Sequence, residues 1–276
     1  MVRLTGMLGE VVARGTRSTV HAYGRGAVVK VPVPSTPEGW IAYEARYAVA
    51  ARAAGAPAPR LLGLETIERR TASVWERVEG TSMWQLAVDR PDQSAPLGRL
   101  LADIQQALFA LVPPVTLPRQ RDRLVSKIRR TAATADPSFA RALALLPPPT
   151  SKPRLCHGDL HPSNVLLARD GPMLVDWFDA SRGDPIADIA RSSLVLLSDG
   201  ANPPEHLPGA DPATLGALTD AYLGRLREHL EIDDDLLARW QAVSAVARMA
   251  EGVPSGALLA LWTSYEAAGS AQAAAN

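Results

Sequence analysis

Strand-like alternation of apolar and polar residues runs through the first eighty positions, and helical spacing replaces it afterwards. From Glu10 to Tyr23 the alternation surrounds Gly15-Thr16-Arg17-Ser18, and Gly24-Arg25-Gly26 turns into Ala27-Val28-Val29-Lys30-Val31. This reads as strand, tight loop, strand, turn and strand. A turn at Pro34-Ser35-Thr36-Pro37 precedes a helical stretch from Trp40 to Ala54 that stops at Gly55. Ala72 to Val78 is the last strand of this half, and a boundary falls near Gly80-Thr81-Ser82. Beyond it, Leu97, Leu100, Leu101, Ile104 and Leu108 recur at three and four, which predicts an amphipathic helix entered through Pro96. Proline-rich stretches at Val112 to Pro118, Leu146 to Pro153 and Asn202 to Pro212 read as loops between helices, and Gly269 to Asn276 as a frayed tail. The pattern predicts an α+β chain with a small N-terminal lobe over residues 1–80 and a larger, mainly helical lobe over 81–276, with no internal repeat.

One segment breaks the helical pattern of the second half. Gly158 and Pro162 forbid a continuing helix, so His157 to Asn164 forms a loop, and Val165-Leu166-Leu167 follows as a short strand. Asp170-Gly171-Pro172 is a turn signal, after which Met173, Leu174 and Val175 lead to Asp176. A hairpin of this kind returns Asp176 to the side of Asn164. Asp159 and Asn164 stand in the D-x-x-x-x-N spacing of a kinase catalytic loop. Phosphoryl transfer needs these residue types. Its loose transition state asks for a carboxylate that accepts the proton of the attacking hydroxyl and holds it in line, here Asp159. It also asks for hard oxygen ligands for magnesium, here Asn164 and Asp176. His157 and His161 stand four apart, but a zinc helix needs a Glu after the first His, and Gly158 and Pro162 intervene. Asp188 opens a helix whose apolar face is buried, which gives it a bracing role.

His157-Gly158-Asp159, Asn164 and Asp176-Trp177, followed by Gly183-Asp184-Pro185 and Asp188, resemble the aminoglycoside phosphotransferase family. That family is a branch of the protein-kinase-like fold that includes choline-, fructosamine- and methylthioribose-type kinases. The resemblance implies an antiparallel-sheet nucleotide lobe above a helical lobe, with ATP and Mg2+ between them. Gly15 and Ser18 are then expected over the ATP phosphates, although only Gly15 stands where protein kinases show three glycines. Lys30 is one of three lysines in the chain, yet it lies inside an apolar strand, where an ammonium needs an anionic partner. The resemblance supplies ATP phosphates and the carboxylate of Glu44, from the following helix. It also implies that backbone groups from Glu76 to Val78 hold the adenine edge. The acceptor pocket is expected between Arg119 to Phe139 and Ser192 to Trp262. Asp179, Glu251 and Glu266 are candidate lining residues, and Asp233 to Asp235 read as a helix cap. One departure is Gln105, where the family commonly carries His; the difference is expected to affect packing alone.

Composition narrows the partners. With 276 residues, 29 acidic and 29 basic, the chain is long enough for two lobes and carries no net charge, so nothing favours a nucleic-acid backbone. No apolar run approaches the length of about eighteen residues needed to cross a membrane, and the N-terminus lacks the long apolar core of a signal peptide. The single cysteine, Cys156, forms no internal disulfide and suits a reducing cytoplasm, where ATP is abundant. No G-x-x-x-x-G-K-[ST] phosphate loop and no G-x-S-x-G elbow is present. The expected activity is ATP-dependent transfer of a phosphoryl group to a hydroxyl of a small polar molecule: an aminoglycoside-type antibiotic, amino sugar, amino alcohol or ribose derivative. The alternative is a nucleotide-binding pseudokinase without turnover, which usually lacks at least one of the positions that Lys30, Asp159, Asn164 and Asp176 fill.

Overall fold

β-branched and aromatic residues at the N-terminus build an antiparallel sheet in the computed structural model, which describes residues 7–198, 212–252 and 256–275. Its strands are β1 (Leu8–Arg14), β2 (Ser18–Tyr23), β3 (Ala27–Pro32), β4 (Leu61–Ile67) and β5 (Arg70–Glu76), in the order β1-β2-β3-β5-β4. Gly24 and Gly26, with φ of 60° and 69°, make the β2–β3 turn, since left-handed backbone is cheap only for glycine. Helix α1 (Trp40–Ala53) joins β3 to β4 and buries Ile41, Ala45, Tyr47, Ala48 and Ala51, together with the carboxylate-bearing Glu44. The register places Lys30 opposite Val20 on one side and Ser73 on the other, in the middle of the sheet.

The chain leaves this sheet through β6 (Gly80–Ser82), which pairs with β8 (Val165–Ala168); β8 in turn pairs with β9 (Gly171–Leu174). Helices α2 (Met83–Asp89), α3 (Ser94–Ala110) and α4 (Gln120–Thr134) precede the short strand β7 (Arg154–Cys156). β7 pairs with β10 (Ser181–Gly183), and α5 (Pro185–Ser198), α6 (Pro212–Arg227), α7 (Asp234–Met249) and α8 (Gly256–Ala275) complete the helical half. Its core is continuous, with Leu101, Leu108, Ile128, Leu155, Leu174, Trp177 and Tyr222 all fully enclosed. Gly98 lets α3 lie against α6: a Cβ there would sit 2.2 Å from the Leu218 carbonyl oxygen.

A buried polar group links this core to the loop from His157 to Asn164. The Asp188 carboxylate, 0% exposed, accepts the Gly158 amide at 2.9 Å and the Gln105 side-chain amide at 3.0 Å. Tyr222 donates its hydroxyl to Gln105 Oε1, so α3, α5 and α6 converge on one carboxylate. Gln105 therefore does more than pack, contrary to the sequence expectation, because both ends of its amide are used to satisfy buried groups. Burial pushes the Asp188 carboxyl up to about 6, against the hydrogen bonds that favour its charge.

Two other expectations need adjustment, and a third lies outside the described residues. α3 begins at Ser94, whose hydroxyl bonds to the Pro91 carbonyl, and so takes in Pro96 near its start. α8 continues to Ala275 where a frayed tail was expected from Gly269. The proline-rich stretch at 202–212 lies outside the described residues except for Pro212, the first residue of α6.

Replacing Gly98 by Ala forces α3 and α6 apart and should destabilise the fold by about 1–3 kcal/mol, read as a lower midpoint in thermal unfolding. The Asp188 carboxyl has its folded-state value raised from 3.8 to about 6. The folded protein therefore binds the extra proton, and stability falls as pH rises through that window. The Asp188→Asn variant should lack this slope, so urea titrations of the two proteins between pH 4 and 6.5 should diverge as pH rises; parallel curves would remove Asp188 as the titrating group.

Candidate active site

The loop at 157–164 and the hairpin after it bring the polar residues together. Gly158 has φ of 81°, and a Cβ on it would lie 2.2 Å from the Asp179 carbonyl oxygen, so only glycine fits there. The fully buried His157 directs Nε2 to the Val175 carbonyl at 3.2 Å, and burial lowers its pKa. The ring is therefore held neutral, as a brace. The Val175 amide donates to the Asn164 carbonyl at 3.0 Å, which sets Asp176 beside Asn164. Asn164 uses its side-chain Nδ2 to hold the Asp159 carbonyl at 2.9 Å and to contact His161 Nε2 at 3.0 Å. Asp176 is a non-glycine residue at φ 64°, a conformation that costs of order 1–3 kcal/mol and persists where the surroundings enforce it. Its side chain is 46% exposed, in contrast to its buried neighbours.

Above this group, the Lys30 ammonium donates to Glu44 Oε1 at 2.6 Å and lies 3.5 Å from Asp176 Oδ1. Burial alone would lower the Lys30 pKa, but Asp176 and Glu44 overcome it and hold the amine charged. Arg17, from the β1–β2 loop, lies 4.3 Å over the Trp40 ring, which stacks on Phe178 at 4.4 Å. Helix α1 thus touches the segment after Asp176 through aromatic contact, with the β1–β2 loop stacked on its other side. In the loop itself the Gly15 amide is taken up by the Ser18 carbonyl at 2.9 Å, and the Ser18 side chain is buried. At the end of β5 the Glu76 carboxylate accepts the Arg60 amide, and the Glu76 and Arg77 amides bond to Arg60 and Gly26. Among the described residues, the Val78 amide has no such backbone partner.

Below, Asp159 Oδ1 pairs with Arg191 Nη2 at 2.9 Å, and His161 Nε2 lies 3.8 Å from Asp159 Oδ2. Burial would raise the Asp159 carboxyl, but Arg191, His161 and Arg248 hold it well below the usual range. Arg191 also reaches Glu251 at 2.9 Å. Lys127 bridges Glu251 at 2.6 Å and Asp179 at 2.8 Å, and Arg123 adds a contact to Asp179 at 2.6 Å. Of the acidic candidates, Asp179 and Glu251 therefore join one network with Asp159, whereas Glu266 pairs with Arg141 at the surface. Asp233 caps α7 by accepting the Asp235 and Leu236 amides. Arg123, Lys127 and Arg191 were not singled out from sequence. The four-residue spacing of Arg123 and Lys127 marks one helix face, but their partners lie on other elements.

Oxygen donors suited to magnesium are available at this centre. Asn164 spends its Nδ2 on protein groups, which turns Oδ1 away from them, and Asp176 offers a half-exposed carboxylate. Among the described residues no three His, Cys, Asp or Glu side chains gather into a metal cage. Asn164 and Asp176 together supply the one or two protein ligands that magnesium usually takes beside substrate phosphates.

No curated protein sequence matches the chain significantly. Among solved structures, an aminoglycoside-3'-phosphotransferase of type VIII superposes with a TM-score of 0.59 at 24% identity, over 88% of this chain and 93% of that one. A thermostable mutant of the aminoglycoside phosphotransferase APH(4)-Ia, in ternary complex with ADP and hygromycin B, gives a TM-score of 0.64 at 18% identity, over 95% and 93%. A choline/ethanolamine kinase family protein from Mesorhizobium loti gives 0.54 at 19% identity, over 98% and 88%. At these identities the likeness establishes the kinase-like fold. The profile of the phosphotransferase enzyme family matches residues 11–229, most of the chain, from the β1–β2 loop through the catalytic loop to Arg191, and the protein belongs to that family.

Proposed function

We propose that this chain is an ATP-dependent O-phosphotransferase that phosphorylates a hydroxyl of a small polar molecule. The observation that carries the reading is the convergence of Lys30, Asp176, Asn164 and Asp159: Lys30 lies 3.5 Å from Asp176, the adjoining Val175 amide bonds to the Asn164 carbonyl at 3.0 Å, and Asn164 Nδ2 holds the Asp159 carbonyl at 2.9 Å. In this reading, residues 1–80 form the nucleotide lobe and 81–276 carry the catalytic loop and acceptor pocket. Lys30, oriented by Glu44, grips the phosphates; the Gly15–Ser18 turn covers them; and the backbone from Glu76 to Val78, with the Val78 amide open, meets the adenine edge. Asn164 and Asp176 would hold magnesium, which would supply charge neutralisation at the phosphates. The relatives' ADP complex supports a nucleotide in this cleft, and the lone buried cysteine fits a cytoplasmic enzyme.

Asp159 then performs the step at the acceptor. The acceptor oxygen forms a bond to the γ-phosphorus as the bond to the ADP oxygen breaks, and the hydroxyl proton passes to Asp159. A carboxylate held so far below its usual pKa is a weak base. That suffices here, because a loose transition state needs the hydroxyl aligned and transfers its proton late.

ADP release should therefore depend on an added acceptor, and Asp159→Asn should lower turnover by about 10²- to 10⁴-fold while nucleotide affinity persists. Equal ATP consumption by both proteins would remove Asp159 from the mechanism, and nucleotide binding with no turnover on any acceptor would favour the pseudokinase. Lys30→Met strands the Glu44 carboxylate, which is only 6% exposed, and should cost about 3 kcal/mol of stability as well as activity. Adding Glu44→Gln should recover the melting temperature without restoring turnover. Recovery of both would assign Lys30 a purely structural role.

A further inference from the structure

Asp176, on the hairpin, is weakly fixed by its own contacts. Its backbone stands in the left-handed region at φ 64°, and its carboxylate is half-exposed. Its ion pair with Lys30 spans 3.5 Å, against 2.6 Å for the pair that Lys30 makes with Glu44. A half-exposed pair at the longer distance contributes little, and a strained residue keeps its conformation only where its neighbours are held. Before it, the Leu174 amide bonds to the Pro57 carbonyl at 2.7 Å and the Val175 amide to the Asn164 carbonyl at 3.0 Å. After it, three residues are anchored in three directions. Trp177 is buried, gives its indole N–H to the Leu174 carbonyl and packs on His157. Asp179 is taken by Arg123 and Lys127. Phe178 turns to α1, where its ring stacks on Trp40 with centroids 4.4 Å apart and planes inclined by 24°.

Trp40 opens α1, and Glu44 and Tyr47 follow it at the spacing of one helical face. Glu44 holds Lys30, and the Arg123 guanidinium lies 5.9 Å from the Tyr47 ring and 5.4 Å from the Phe178 ring. One stripe of α1 therefore meets the strand lysine, the Phe178 ring and the cation that holds Asp179. Arg17 also lies over Trp40, at 4.3 Å, and the Arg17 carbonyl accepts the Val33 amide and the Thr36 hydroxyl. The turn proposed to cover the phosphates is thereby tied to the start of α1. A stacked ring pair fixes orientation without adding a carboxylate or ammonium that would compete for the metal or the phosphates.

We propose that Trp40 is a positioning residue: stacked on Phe178, it holds the turn that begins at Asp176, so that the Asp176 carboxylate is set for magnesium before the nucleotide arrives. The inference rests on the phosphotransferase reading above, with Asp176 as a magnesium ligand. AMP-PNP titrated by calorimetry into the wild-type protein, once with magnesium and once with EDTA, gives two dissociation constants whose ratio is the effect of the metal. Trp40→Leu fills the space without a flat face to stack, whereas Trp40→Phe keeps one. Trp40→Leu should shrink the magnesium effect about two- to tenfold, the span that an aromatic pair contributes, with little change in EDTA. Trp40→Phe should retain most of it.

Phe178→Leu should match Trp40→Leu, and the double variant should be no worse than either, because all three lose the same contact. Both side chains are half-buried, and should one Leu variant not fold, the other decides. A wild-type protein whose affinity is the same with magnesium and with EDTA overturns the magnesium reading and this inference together. Three results overturn the inference alone: a magnesium effect left intact by Trp40→Leu, an equal loss of affinity with and without the metal, or additive losses in the double variant.

Discussion

A buried carboxylate that accepts a backbone amide holds this site together. Asp188 lies on α5 with no exposure to water, and one of its oxygens receives the Gly158 amide. Removing that charge from water is unfavourable, as its raised pKa shows, and the cost is offset by bonds from Gly158 and Gln105. The arrangement has no slack, because Gly158 also passes against the Asp179 backbone. The loop carrying Asp159 is therefore clamped between α5 and the segment after Asp176, and the directions of Asp159, Asn164 and Asp176 follow from that clamp.

On either side of the clamp the fold places charge in poorly hydrated surroundings and compensates it. Above, Lys30 is held by Glu44 and leans toward the half-exposed Asp176. Below, Asp159 and Glu251 share Arg191, and Glu251 and Asp179 share Lys127. Buried ion pairs are poor evidence of net stability, since desolvation cancels much of their attraction. Their value in the proposed enzyme is orientation. Low dielectric makes each pair intolerant of displacement, so the carboxylates and the ammonium are set in place before either substrate arrives. The aromatic contact of Trp40 with Phe178 then couples α1 to this centre without adding charge.

Period and punctuation were enough to read the elements that build the site. Two-residue alternation marked the sheet, Gly158 and Pro162 marked the loop, and Asp170-Gly171 marked the hairpin that carries Asp176 back to Asn164. Lys30 stood out because a charge inside an apolar strand demands a partner. Gln105 was misjudged: its helical position was legible, but its bonds to Asp188 and Tyr222 join residues more than eighty positions apart, and neither spacing nor composition carries that information. Arg191 was missed for the same reason, since an arginine on an amphipathic helix ordinarily points to water.

The sequence by itself determined which groups are available and which local geometry each short segment adopts, because helical and strand periods, turns and caps are set by neighbours a few residues away. Only the tertiary structure decided which charges meet. Electrostatic pairing depends on distance in space and on the exclusion of water, and both are properties of the packed helices and sheet. The identity of Asp159, Asp179 and Glu251 could be read along the chain; that all three would already be matched by Arg123, Lys127 and Arg191 could not.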